Sequence, residues 1–352
     1  MSSLRDHIIR TGLGTLSVTG LHHLLKPFFG GAGAIFMLHH VRPGRNDAFQ
    51  PNRLLEITPE FLRTTLAYLR REKIDLITLD EMRRRLLKGD TRRRFACFTF
   101  DDGYRDNRDH ALPVMQEFGA PFTVYVASDF AAGTGRLWWV ALERLIARND
   151  HLSLTLDGAQ HEFDTATPEA KQKTFARLNQ WVVANPDDRA ASQAIGIWCR
   201  QYGIDVAAIS AELCMSWDEL RAFSSNPLVE IGAHTITHCN LAKQIEATAR
   251  AEMHDSRTRI ETELARKVAH FAYPYGYASA AGAREFVMAQ NLGFSTAVTT
   301  RPGMIFPEHA KHLTALPRIS LNGNYPEARF LPALTSGAAT ALWNRFRRLD
   351  VD

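Results

Sequence analysis

The chain has 352 residues, of which 45% are hydrophobic and 23% are charged, a composition typical of a soluble globular protein. Its formal net charge is only +4, so the composition does not call for nucleic acid as a partner, and we expect none. The four cysteines show no paired close spacing, which favours reduced thiols and a cytoplasmic location. The length allows one barrel-sized core that carries an insertion.

Residues 1–32 are expected to form an amphipathic helical segment. Residues 13–29 are apolar, but they contain His22, His23 and Lys26 and are too short and too polar for a transmembrane span. One face of the predicted helix carries Leu16, Leu21, Leu24, Leu25, Phe28 and Phe29. We expect this face to pack on the end of the barrel. Contact with a membrane surface is the alternative, and would make the protein membrane-associated.

Short apolar runs alternate with helical patterns along residues 33–322. The predicted strands are 35–40, 74–79, 95–100, 121–127, 228–233, 268–273, 294–299 and 315–321. Strands that alternate with helices imply parallel pairing with right-handed crossovers. Seven or eight such units predict an α/β fold, a distorted parallel (β/α) barrel rather than an open sheet.

Residues 131–215 interrupt this alternation. They contain an aromatic-rich helix, a predicted hairpin about Asp157-Gly158 and two further helices around 168–203. We interpret them as a mostly helical insertion that borders the barrel mouth, and residues 323–352 as a C-terminal tail with a helix.

Capping residues mark helices between the strands. Thr58-Pro59 predicts an N-cap and a first turn, and Gly119 predicts a C-terminal end. Asp106 or Asn107 is expected to cap the helix that follows strand 95–100.

Two motifs that can carry chemistry each follow a predicted strand. Residues 99–103 read Thr-Phe-Asp-Asp-Gly at the end of strand 95–100, and residues 232–238 read Gly-Ala-His-Thr-Ile-Thr-His. The carboxyl ends of barrel strands share one rim, so the two motifs are expected to meet.

One carboxylate and two imidazoles suit a divalent ion, zinc first and cobalt or nickel next, with positions left open for water and substrate. We assign Asp102, His234 and His238 to the metal. Asp101 is then the base that takes a proton from the attacking water, while the ion lowers the pKa of that water and polarises the carbonyl.

A third motif, Phe271-Ala-Tyr-Pro-Tyr-Gly276, ends another predicted strand. Pro274 and Gly276 flank Tyr275 and favour a rigid turn whose backbone N–H would face a developing oxyanion. A plain strand-ending turn is the alternative.

Taken in this order, the three motifs closely resemble those of the polysaccharide deacetylases of carbohydrate esterase family four, which include chitin, peptidoglycan and nodulation-factor chitooligosaccharide deacetylases. The resemblance covers roughly 33–130 and 214–322. It implies metal-dependent hydrolysis of an N-acetyl group on an amino sugar, with release of acetate. It also implies that the first aspartate is the base, that the second binds the metal with both histidines, and that the amide of Tyr275 contacts the oxyanion.

Two supporting residues of that family are missing here. Ala272 stands where well-studied members carry an arginine that orients the base, and Leu316-Pro-Arg-Ile319 lacks the histidine that serves as their general acid. No Asp-Trp motif supports such an acid between 294 and 310. Arg318 is the candidate to hold the charge of the base and His39 is the candidate acid. A structural ion pair and a hydrogen-bonded rim residue are their plain alternatives.

The expected partner is an amino-sugar glycan, either a polymer, an oligomer or a lipid-linked glycan. Tyr273, Trp138 and Trp139 are candidates for contact with the sugar, with core packing as the alternative. Two other functions stay open: hydrolysis of another C–N bond, such as that of a cyclic amide, and glycan binding by a vestigial site.

Overall fold

The computed structural model describes residues 4–351, which contain twelve strands and fifteen α-helices. The strands are β1 (Gly33–Leu38), β2 (His40–Val41), β3 (Glu56–Ile57), β4 (Asp75–Leu76), β5 (Phe95–Phe100), β6 (Phe122–Val126), β7 (His151–Leu156), β8 (Ala159–Asp164), β9 (Val229–Ala233), β10 (His270–Ala272), β11 (Thr296–Pro302) and β12 (Leu316–Ser320).

The helices are α1 (Leu4–Thr19), α2 (Leu21–Phe29), α3 (Pro59–Arg71), α4 (Leu79–Lys88), α5 (Leu112–Glu117), α6 (Ser128–Ala131), α7 (Trp138–Ala147), α8 (Pro168–Ala184), α9 (Asp188–Gln201), α10 (Val206–Leu213), α11 (Trp217–Phe223), α12 (Glu246–Leu264), α13 (Ala283–Asn291), α14 (Leu331–Thr335) and α15 (Ala338–Trp343).

Seven parallel strands close into a barrel in the order β1, β12, β11, β10, β9, β6, β5 and back to β1. Every residue of β1, β5 and β6 is buried, because the strands of a barrel face side chains inside and helices outside. The predicted parallel α/β barrel is therefore confirmed.

The predicted strand 74–79 is much shorter in the structure. It is reduced to β4, which pairs with the first two residues of β5 and adds an eighth strand outside the closed ring. The strand ends early because Thr78 caps α4, accepting a hydrogen bond from the backbone N–H of Glu81.

Residues 131–215 build a second apolar core beside the barrel. The hairpin of β7 and β8 turns at Asp157 and Gly158, as the sequence predicts. Its inward side chains pack with α7, α8 and α9, around Leu142, Leu178 and Ile195. This second core reaches the barrel at Tyr104 and Phe130, so it borders the carboxyl ends of the strands.

The N-terminal apolar face is divided between two helices. Gly20, with a φ of 69°, separates α1 from α2, so the residues predicted to share one face do not do so. Leu16 and Leu25 pack on α14 and α15, and the imidazole of His22 is buried. The outward residues of α2 are Leu21, Leu24 and Phe28, exposed by 42%, 70% and 61%. Within residues 4–351, no helix has the length and apolar character to cross a membrane.

The capping predictions have different outcomes. Thr58 caps α3, and Gly119 takes the expected left-handed conformation after α5. The prediction for Asp106 and Asn107 is wrong, since neither side chain caps a helix. Asp106 instead bonds to His40, and Asn107 donates to the carbonyl of His39, so both hold the segment that follows β1.

Candidate active site

The carboxyl ends of β1, β5, β9 and β10 bring the predicted residues to one rim. His39 follows β1 directly, Asp101 and Asp102 follow β5, and His234 follows β9. The backbone N–H of Asp101 donates to the carbonyl of Leu38, and that of His234 donates to Val126. These hydrogen bonds extend the strand pairing as far as the functional side chains and fix their positions.

The backbone is strained where the motifs turn away from the strands. Nine residues other than glycine within 4–351 have a positive φ, and four of them lie in the three motifs. These four are Asp102, Thr235, His238 and Tyr275, with φ of 75°, 65°, 59° and 61°. Each such residue costs about 1–3 kcal/mol, and strained residues of this kind cluster at functional sites.

Asp102, His234 and His238 form a group that can hold a metal ion. Oδ1 of Asp102 lies 3.6 Å from Nε2 of His234 and 3.4 Å from Nε2 of His238. A tetrahedral ion with bonds of about 2.0–2.1 Å separates its ligand atoms by similar distances. The same Oδ1 is buried without a hydrogen-bond partner, which is costly unless a cation occupies the position between the three atoms. The residues present therefore fit a divalent ion.

The histidines are prepared to act as neutral ligands. Nδ1 of His234 lies 2.7 Å from the carbonyl of Ala272, so a proton on Nδ1 leaves the lone pair of Nε2 facing Asp102. Burial lowers the pKa of both His234 and His238. Neutral imidazoles can bind a metal without first losing a proton.

Asp101 has a completely different environment. Arg318 donates to both of its carboxylate oxygens, at 2.7 Å each, and both side chains are buried. Burial alone would raise the pKa of Asp101, but the guanidinium of Arg318 outweighs it and holds that pKa well below its ordinary value. The carboxylate is therefore ionised and fixed in orientation.

Arg318 is itself held by groups on β11 and β5. Its Nε donates to the carbonyl of Thr299 at 2.8 Å, and its Nη1 donates to Oγ1 of Thr99 at 3.1 Å. Ala272 ends β10, which is separated from β12 by β11 and offers no long side chain at the rim. Asp101 is thus paired with an arginine from β12, in a chain that has alanine at position 272.

His39 lies beside Asp101, outside hydrogen-bond distance. Its Nε2 is 3.8 Å from Oδ2 of Asp101. Burial lowers the pKa of His39 to about 4, although the charge of Asp101 acts in the opposite direction. The imidazole is consequently neutral at pH 7.

The turn at Tyr275 borders the metal-ligand group. The Tyr275 ring centroid is 5.2 Å from that of His238, and its hydroxyl accepts a hydrogen bond from Nε1 of Trp138 at 3.0 Å. Within residues 4–351, the backbone N–H of Tyr275 has no acceptor. It is therefore available to a ligand.

The three residues predicted to contact the sugar occupy different places. Trp138 and Tyr275 line a cavity of about 280 Å³ that begins at His238. Trp139 packs behind His238 and donates to the hydroxyl of Tyr104. Tyr273 is fully buried and donates to the carbonyl of Thr314, so its placement contradicts the prediction that it contacts the substrate.

The pair of His40 and Asp106 is not predicted by the sequence pattern. Nδ1 of His40 lies 2.6 Å from Oδ2 of Asp106, and its ring stacks on Tyr104 at 3.5 Å. The signal available was the doubled histidine at 39–40, but a contact between residues 66 positions apart requires the tertiary fold.

A second group of one histidine and two carboxylates lies at the opposite end of the barrel. His270 begins β10, and its Nε2 is 3.1 Å from Oε1 of Glu230 and 3.5 Å from Oδ1 of Asp80. Burial would raise the pKa of Glu230, but His270 lowers it, and Asp80 is largely exposed. We interpret this group as a structural contact that joins β9, β10 and the first turn of α4.

Comparison with known proteins agrees with the fold and the three motifs. The family model described as polysaccharide deacetylase matches residues 88–295, which is more than half of the chain. The chain therefore belongs to the polysaccharide deacetylase family, which together with the fold supports a hydrolytic deacetylase. No curated protein sequence matches it significantly.

Solved structures share the fold at low sequence identity. The deacetylase PplD of Streptococcus pyogenes, solved in complex with acetate, is 16% identical with a TM-score of 0.55, over 84% of this chain and 95% of that one. IcaB of Ammonifex degensii is 16% identical with a TM-score of 0.53, over 88% and 98%. The putative polysaccharide deacetylase BA0330 of Bacillus anthracis is 15% identical with a TM-score of 0.54, over 86% and 68%.

Proposed function

We propose that this protein is a metal-dependent hydrolase that removes N-acetyl groups from an amino-sugar glycan and releases acetate. The observation that carries the proposal is the buried three-ligand group of Asp102, His234 and His238 beside an ionised carboxylate, Asp101. A zinc ion, or cobalt or nickel in its place, would polarise the acetyl carbonyl and lower the pKa of the attacking water.

The residues of the chain divide the remaining work. Asp101 takes a proton as the oxygen of water forms its bond to the acetyl carbon, and Arg318 keeps that carboxylate ionised and oriented. The backbone N–H of Tyr275 donates to the oxygen that gains negative charge.

The C–N bond then breaks, and the amine nitrogen needs the proton that Asp101 has taken. His39 is neutral and lies 3.8 Å from Asp101, so we assign it the role of relaying this proton to the amine. The products are acetate and a free amino sugar.

Asp101→Asn is the variant that tests this assignment. It removes the base and leaves all three metal ligands, so we expect stoichiometric zinc and a loss of acetate release of about 10²–10⁴-fold. Asp80→Asn, at the opposite end of the barrel, is the control and should keep its activity. The assay measures acetate released from N-acetylglucosamine oligomers, and full activity of Asp101→Asn would contradict the role of the base.

The same preparation separates the two alternative functions. Turnover of cyclic amides without acetate release would favour the second hydrolase. Glycan binding by a protein that takes up no zinc, cobalt or nickel would favour a vestigial site.

We also propose that α2 and residues 342–348, together called the terminal surface, contact an anionic membrane. Leu24 and Phe28 are exposed on α2, and Phe346, 54% exposed, has its ring 5.6 Å from that of Phe29 on the same helix. Arg348 donates to the carbonyl of Phe28 at 3.0 Å. Apolar side chains bordered by arginines suit lipid tails and anionic headgroups.

The terminal surface lies away from the candidate active site. α2 leads into the first residue of β1, whereas the functional residues follow the carboxyl ends of the strands. A protein bound in this way would present the site to glycan on the far side from the bilayer.

Vesicle sedimentation tests the membrane contact. We expect binding to phosphatidylcholine vesicles that contain phosphatidylglycerol and little binding to phosphatidylcholine alone. Leu24→Ser combined with Phe28→Ser should abolish it, while Ile197→Ser, an exposed apolar residue of α9, should not. No vesicle binding, or self-association that these two substitutions abolish, would contradict the proposal.

A further inference from the structure

The cavity of about 280 Å³ beside the metal-ligand group reaches from the barrel into residues 131–215. His238 and Tyr275 line its barrel side, and Arg136, Arg189 and Gln193 line its other side. We call it the insertion cavity. A sugar chain whose acetyl group reaches the metal ligands would place its neighbouring sugars here.

The acidic residues of the insertion cavity already have partners. Asp188 accepts a hydrogen bond from the ammonium of Lys243 at 2.7 Å. Glu252 accepts two backbone N–H groups and a hydroxyl. Burial raises the pKa of Asp129, and the nearest cation, on Arg259, is 3.7 Å away. These carboxylates are therefore poorly placed to bind a cationic ligand.

The two arginines of the insertion cavity have no such partners. Arg136 and Arg189 are exposed, and within residues 4–351 neither guanidinium makes an ion pair or a hydrogen bond. Each offers a planar fork of donors that matches the oxygens of a carboxylate or a phosphate. The lining also contains Asp129, Asp188 and Glu252, but the two free guanidinium groups are the donors that an anionic group entering the cavity can reach.

We infer that the insertion cavity is a subsite for an anionic substituent on the glycan, and that the substrate class is an acidic N-acetylated glycan. The inference rests on the proposed deacetylase function. Arg136 and Arg189 bind the carboxylate or phosphate oxygens of a sugar next to the one that loses its acetyl group. The mostly helical insertion thus determines specificity, and the barrel performs the chemistry.

Binding to the Asp101→Asn protein tests the subsite without turnover. Three oligosaccharides of equal length are compared by calorimetry: neutral chitooligosaccharide, N-acetylheparosan oligosaccharide with its carboxylates, and phosphorylated chitooligosaccharide. We expect the acidic ligands to bind more tightly, with the tighter of the two identifying the anion. Adding Arg136→Gln and Arg189→Gln should weaken the binding of the acidic ligands by about tenfold or more. The affinity for the neutral ligand should not change.

Arg345→Gln combined with Arg347→Gln is the matched control. It removes the same charge from exposed residues at the opposite end of the barrel, so it should leave binding of the acidic ligands unchanged. Equal affinity for neutral and acidic ligands, or an equal loss in this control, would overturn the subsite.

Acetate release by the parent protein tests the proposed deacetylase function separately from the subsite. Acetate released from neutral and acidic oligomers without preference, together with charge-independent binding, would leave the deacetylase standing and remove the subsite. Arginine-dependent binding of acidic ligands without acetate release would remove the deacetylase and keep the subsite.

Discussion

The metal-ligand side of the barrel mouth and its ion-paired side differ in how their polar atoms are satisfied. Asp101 and Asp102 are adjacent and equally buried, with 2% of each residue exposed. Arg318 donates to both oxygens of Asp101 and lowers its pKa, whereas burial and the charge of Asp101 raise the pKa of Asp102. The protein itself stabilises the first carboxylate, whereas Oδ1 of the second is buried without a hydrogen-bond partner. The difference teaches that one strand end can supply both a fixed charge and a ligand.

Removing a metal ligand should abolish the function of the metal-ligand side. His234→Ala leaves Asp102 and His238 as the remaining ligands, so we expect loss of bound zinc and of acetate release by about 10³-fold or more, since the ion supplies several kcal/mol to the transition state. Zinc is measured by mass spectrometry after dialysis. His254→Ala, an exposed histidine on α12, should behave as the parent does. Retention of zinc by His234→Ala would remove this residue from the ligand set.

Removing the arginine should destabilise the ion-paired side without loss of zinc from the metal-ligand side. Arg318→Met leaves Asp101 as a buried, uncompensated carboxylate, so we expect the free energy of unfolding to fall by about 3–5 kcal/mol while zinc is retained. Urea denaturation at pH 7 measures the loss. Arg318→Lys should recover part of it, because an ammonium restores the charge without the two parallel hydrogen bonds. Unchanged stability in Arg318→Met would show that the pair contributes little.

The pH dependence follows from the same ion pair. The folded-state pKa of Asp101 is lowered, so its contribution to stability is present above the unfolded pKa and is lost as pH falls through the folded pKa. Arg318→Met removes the largest effect that lowers this pKa, so the effect of burial, which raises it, is less opposed. The acidic limb of kcat/KM should therefore move to higher pH, and an unmoved limb would mean that Asp101 is not the titrating base.

Replacing His39 should have a smaller effect, confined to proton delivery. His39→Gln keeps the metal ligands and the ion pair, so we expect acetate release to fall by about 10²-fold while zinc is unchanged. The folded pKa, about 4, lies below the ordinary value of 6.5. The stability from the neutral ring is thus full above pH 6.5 and is lost as pH falls towards 4. The variant should lose less stability over this interval in urea denaturation, and full activity would assign His39 to the rim alone.

The sequence predicts the residues whose placement depends on strand order. Asp101, Asp102 and His234 each follow an apolar strand, and the carboxyl ends of parallel strands share one rim, so their meeting needed no knowledge of side-chain packing. Thr58 was equally predictable, because an N-cap is a local hydrogen bond.

The residues that could not be predicted depend on contacts between distant parts of the chain. Aspartate is a residue type that often caps helices, but the carboxylate of Asp106 is hydrogen-bonded to His40 instead. Only the tertiary fold brings these two residues together. The sequence predicts one apolar face from Leu16 to Phe29, because periodicity does not show which side the C-terminal helices cover. Neither result contradicts the local pattern. The pattern identifies side chains that can cap or pack, and tertiary packing determines which of them do so.

Tyr273 gives the smallest test, since its hydroxyl serves the core and not the site. Tyr273→Phe removes a buried hydrogen bond of 2.8 Å to the carbonyl of Thr314, so we expect the free energy of unfolding to fall by about 1 kcal/mol. The values of kcat and KM for acetate release should not change, because the ring keeps its packing against Phe271 and Phe286. Urea denaturation and steady-state kinetics on the same preparation separate the two effects. A raised KM with unchanged stability would indicate that Tyr273 contacts the substrate. In that case the turn at Tyr275 would have to be more open than it is in the structure.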